Sequence, residues 1–62
     1  MKRYKSNSNP NLYFWVESEG ITQEIFMVVQ GVVGHNPTDA HDDWFWNRKD
    51  AEEVAAEMAK NS

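Results

Sequence analysis

A chain of 62 residues with a net charge of −4 makes one small domain. It has no cysteine, which excludes disulfides and thiolate zinc sites. Its longest apolar runs, at 12–16 and 25–29, are far too short to cross a bilayer as helices.

The charge lies in the second half. Residues 32–62 carry Asp39, Asp42, Asp43, Asp50, Glu52, Glu53 and Glu57 against Arg48, Lys49 and Lys60, whereas residues 1–31 balance. That distribution argues against a broad nucleic-acid footprint, which needs a positive patch. A domain this small buries only about 60% of its unfolded surface. With no cysteine to staple it, the eight aromatic residues must carry much of the core.

Residues 1–11 are polar and aperiodic and are expected to form a flexible basic arm, leaving 12–62 as the folded domain. Lys2, Arg3 and Lys5 are the arm's candidates for touching a phosphate or an acidic partner. No apolar run of signal-peptide length follows them, and a cysteine-free chain fits a reducing compartment, so a cytoplasmic location is expected.

"LYFWVESEGITQEIFMVV" reads as a β-hairpin, because its aromatic and β-branched residues suit a pleated surface. A two-residue turn at Glu19-Gly20 would pair Val16 with Gln23 and Phe14 with Ile25. Leu12, Phe14, Val16, Ile21, Ile25, Met27 and Val29 then share one face. Tyr13, Trp15, Glu17, Thr22, Glu24, Phe26 and Val28 share the other.

"GHNPTDAHDD" breaks the chain, with a short turn expected over 37–40. "DWFWN" is a short third strand that turns Trp44 and Trp46 toward the core and Phe45 to the open side. Asn47 caps a helix over about 48–60, whose apolar stripe is Ala51, Val54, Ala55, Met58 and Ala59. The expected fold is α+β: a small three-stranded antiparallel sheet in the order β-β-β-α, with one C-terminal helix packed on one face.

The candidate chemistry is sparse. His35 and His41 with their neighbouring aspartates have metal-ligand types, but the spacing matches no helical metal motif and the loop reads as a hydrophilic connector. No nucleophile elbow or phosphate loop is present, so no enzymatic activity, cofactor, metal or small-molecule substrate is expected.

The open sheet face is the leading feature. Tyr13, Trp15, Phe26 and Phe45 would form an aromatic centre with a polar margin, which is how protein interfaces are built. The expected function is a non-enzymatic interaction module, acting on a protein partner or a second copy of itself. Nucleic acid, held by the basic arm and the aromatic face, is the alternative. A further one is an acidic DNA-mimic inhibitor built on Asp50, Glu52, Glu53 and Glu57. A short, cysteine-free, aromatic-rich chain of this order is the kind of product made by small accessory genes, those of phages included.

Overall fold

A computed structural model describes residues 2–62. The elements are β1 (Arg3–Lys5), β2 (Leu12–Glu19), β3 (Ile25–Val32), β4 (Thr38–Phe45) and α1 (Arg48–Asn61). The strands form one antiparallel meander in the order β1-β2-β3-β4, and α1 lies across one side of it, chiefly against β2 and β3. The α+β class and the C-terminal helix agree with expectation, but the sheet has four strands rather than three.

The additional strand comes from the polar N-terminal segment. Arg3, Tyr4 and Lys5 pair with Trp15, Phe14 and Tyr13. Tyr4 is the anchor: its ring packs against the core, and its hydroxyl donates to Glu52 Oε1 of α1 at 2.7 Å. The chain is then tied down again. Ser6 Oγ is buried and accepts from the Asn9 amide at 3.0 Å, while the Asn7 amide donates to the Ala59 carbonyl at 2.9 Å. One aromatic residue and a few polar bonds, some local and some to α1, thus hold a segment whose composition lacks any hydrophobic period.

Hairpin register is the second departure. Residues 20–24 form the connection, so Glu19 pairs with Ile25, Val16 with Val28 and Phe14 with Gln30. Relative to a two-residue turn this shifts β3 by five positions. An odd shift exchanges every side chain between faces. Phe26 and Val28 therefore join Phe14 and Val16 under the helix, and Met27 and Val29 go to the other side with Trp15. Gly20, at φ 135°, opens the longer connection.

The same exchange reaches β4. Phe26 pairs with Phe45 and Met27 with Trp44, so Phe45 packs against the core while Trp44 takes the open side. Trp44 and Trp46 are 47% and 60% exposed, which corrects their expected burial. The short turn over 37–40 is also replaced: Thr38 and Asp39 pair with Gln30 and Val29, because β3 runs long enough to template them. Between the Asp39 and Trp44 pairs, residues 40–43 stand opposite Val28 alone, an irregularity of the β-bulge kind.

The helix follows its local signals. Asn47 is extended, at φ −128° and ψ 127°, and its Oδ1 accepts from the Lys49 amide at 2.8 Å. Asp50 lies in the first turn and Lys60 in the last, as the helix dipole prefers. Ala51, Ala55 and Ala59 are buried at four-residue intervals, with Val54 and Met58 flanking them. Three alanines bring the helix axis close to the sheet, and Phe14, Val16, Phe26 and Val28 fill the space between.

Candidate functional site

With α1 on one side, no other element among the described residues covers the opposite side of the sheet. Pairing and strand alternation fix what it presents. From β1 come Arg3 and Lys5, and from β2 Tyr13, Trp15, Glu17 and Glu19. From β3 come Ile25, Met27, Val29 and Gly31, and from β4 Asp39 and Trp44.

The centre of this face shields itself. Trp15 and Val29 are only 7% and 5% exposed although no helix covers them. The Trp15 indole closes over Gly31, where a Cβ atom would meet its Cη2 at 2.5 Å. The Arg3 guanidinium lies 5.3 Å from the Trp15 ring centre, a cation–π arrangement. Trp15 Nε1–H donates to Glu17 Oε2 at 2.8 Å, so the indole's one polar atom is satisfied.

Exposed aromatic surface lies instead toward the β4 edge. Trp44 and Trp46 meet edge to face, with ring centres 4.6 Å apart and planes at 89°. Each ring restrains the other, so two large apolar groups are held in water with little freedom left to lose on binding.

Of the four residues expected to form the aromatic interface, the structure brings Tyr13 and Trp15 together on the open face. Phe26 and Phe45 pair on the helix-covered side, and the Arg48 guanidinium lies 5.0 Å from the Phe26 ring centre. The basic trio also divides. Arg3 and Lys5 are on the open face, while the Lys2 ammonium lies 5.1 Å from the ring centre of Tyr4.

Trp44 and Trp46 are the candidates that sequence reasoning put on the wrong side. Their side follows from the register of β3, which the connection over 20–24 sets, so no signal within "DWFWN" marks it.

The remaining candidates are dispersed. His35 lies in the loop after β3, and the His41 ring packs 5.6 Å from that of Phe45. Among the described residues no group of three or more histidines and carboxylates is placed to hold a metal ion. A shallow recess of about 220 Å³ opens between Arg3, Tyr13, Trp15, Gly31, His35 and Pro37. That is below the size of about 300 Å³ at which small-molecule sites begin.

On α1, Glu52 is engaged by Tyr4 and by Arg48 Nη1 at 3.4 Å, and Glu57 accepts from Asn61 Nδ2 at 3.1 Å. The acidic row is therefore partly occupied within the domain. Among the described residues no helix is long and apolar enough to cross a membrane. No protein-family model, curated protein or solved structure matches the chain.

Proposed function

We propose that this protein is a non-enzymatic, cytoplasmic interaction module that docks on protein through its uncovered sheet face and the adjoining tryptophan pair. One observation carries the reading: Trp44 and Trp46, 47% and 60% exposed, hold each other edge to face beside a sheet face that no helix covers. Exposing two indoles costs solubility, and tryptophan is among the residues that most often anchor interfaces. Around them the face offers Met27 and Ile25 as partly buried apolar surface and Glu17, Glu19, Arg3 and Lys5 as a polar margin.

The test is a binding comparison between wild type and the Trp44→Ala/Trp46→Ala double variant. It uses nuclease-treated lysate for foreign partners and a concentration series for self-association. The variant is expected to keep its melting transition and lose the interaction. An interaction retained in full would remove the tryptophan pair from the site.

One feature favours a second reading. β1 sets Arg3 and Lys5 beside Tyr13, two cations next to an aromatic ring on a sheet. A single-stranded nucleic acid is held by that combination. Glu17, Glu19 and Asp39 on the same face oppose it electrostatically. Nucleic-acid retention that falls with Lys5→Glu and ignores Trp44→Ala would favour this second reading.

A further inference from the structure

The open face carries its charges in an ordered way. Strand pairing aligns Arg3, Trp15, Val29 and Asp39 in a single row across the sheet, one residue from each strand. The row begins with a cation on the β1 edge, passes over two apolar residues and ends with an anion on the β4 edge. Arg3 and Asp39 are both exposed, and among the described residues the only ion pair is Arg48–Glu52. Beside this row, Lys5 adds a second cation at the β1 edge, while Glu17 and Glu19 place anions further along β2.

We propose that the occupant of this face is a second copy of the chain, related by a two-fold axis running parallel to the strands between β2 and β3. Arg3 of each copy then pairs with Asp39 of the other. This rests on the reading of the open face as a docking surface and adds the identity of what docks.

The geometry follows from the symmetry. Rotation about such an axis keeps every residue in its own row and exchanges the two edges of the sheet. The β1 edge of one copy lies over the β4 edge of the other, and the row Arg3–Trp15–Val29–Asp39 meets itself reversed. Arg3 meets Asp39 twice at the two edges, across a centre that Trp15 and Val29 already fill, and Trp44 falls two residues along the strand from Arg3 of the other copy.

A two-fold axis perpendicular to the strands would instead set β1 against β1 and β4 against β4, the basic edge of one copy over the basic edge of the other. Like-charge contact therefore selects the first orientation. Two sheets stacked with strands nearly aligned is also the common sandwich geometry.

The size of the face sets the strength. Three strands of eight residues and a β1 of three give roughly 430 Å² per copy at ordinary strand spacing. About 860 Å² in total falls in the range of weak, transient association, below about 1,200 Å². The dimer is therefore concentration-dependent, and its paired surface charges make it salt-sensitive.

The experiment is sedimentation across a concentration series for wild type, Arg3→Asp, Asp39→Arg and the double exchange, with a thermal melt of each. Wild type is expected to self-associate, and each single change to weaken association about tenfold or more. The double exchange is expected to restore most of it. Asp39→Arg carries the test alone if Arg3→Asp, which also strips the cation from Trp15, fails to fold.

A wild type monomeric throughout overturns the proposal, as does a double exchange no better than the single changes. If that monomer still captures another protein in a Trp44-dependent way, the second copy falls and the docking face stands. A dimer indifferent to Trp44→Ala and to every charge change removes both.

Discussion

Trp15 lies against Gly31 so closely that no side chain fits between them: a Cβ on Gly31 would sit 2.5 Å from Cη2 and 2.8 Å from Cζ3 of the indole. Gly31 pairs with Tyr13, one step diagonal from Trp15, and this relationship exists only in the observed register. Under a two-residue turn Gly31 would lie far from Trp15, and the indole would meet a Cβ-bearing residue instead.

Gly31→Ala should accordingly cost about 1–3 kcal/mol by overpacking. The cost should shrink in a Trp15→Leu background, where the crowding atoms are gone. Chemical denaturation of the four chains of this double-mutant cycle measures the coupling. Equal costs in both backgrounds would mean that the contact does not select the register.

The helix cap is independent of the sheet. Asn47 Oδ1 satisfies the Lys49 amide at 2.8 Å, so Asn47→Ala should lower stability by about 1 kcal/mol, and Asn47→Asp should restore most of it. Thermal melts of the two variants check this. The alanine stripe is less forgiving: Ala55 is fully buried against the sheet, and Ala55→Leu should cost more than Met58→Leu on the half-buried flank.

The alkaline limit should involve Tyr4. Its hydrogen bond to Glu52, reinforced by burial and by the nearby carboxylate charge, raises its pKa above the ordinary tyrosine value. A group whose pKa is raised by folding stabilises the fold fully below its unfolded pKa. That stabilisation is lost as pH rises through the folded value. Stability should thus hold up to about pH 10 and fall above it. Tyr4→Phe should remove that part of the alkaline slope, as read from denaturant midpoints over a pH series. An unchanged slope would sever Tyr4 from it.

What could be read in the sequence divides by how local the determinant is. The cap at Asn47 and the stripe of Ala51, Ala55 and Ala59 repeat within a few residues of one another, and both stand as expected. Tyr13 and Trp15 belong on the same face by alternation within β2 alone, whatever its partner does. The placement of Phe26, Trp44 and Phe45 depended on the length of one connection. "SEGITQE" conceals that length, because Ile21 looks like strand but stands fully exposed in the loop. One miscounted turn inverted β3, and β4 followed it through the Phe26–Phe45 and Met27–Trp44 pairs. β1 was hidden for another reason: its anchor is the single ring of Tyr4 and its hydroxyl bond to a helix that begins more than forty residues later.

The tryptophans of "WFW" now separate folding from docking. Trp44 and Trp46 keep 47% and 60% of their surface exposed and meet edge to face, so Trp44→Ala or Trp46→Ala should cost about 1–2 kcal/mol, well short of a core ring. Phe45 between them faces the core, and its partner Phe26 is 8% exposed. Phe26→Ala should therefore cost about 3–5 kcal/mol, comparable to the whole stability of so small a domain. Melting curves of the three variants rank them directly. Intrinsic fluorescence adds a check: an uncharged quencher should reach Trp44 and Trp46 in the monomer and leave Trp15 dark to it. If either Trp44 or Trp46 proves as costly to remove as Phe26, the faces of this segment are reversed and the exposed pair no longer defines a docking surface.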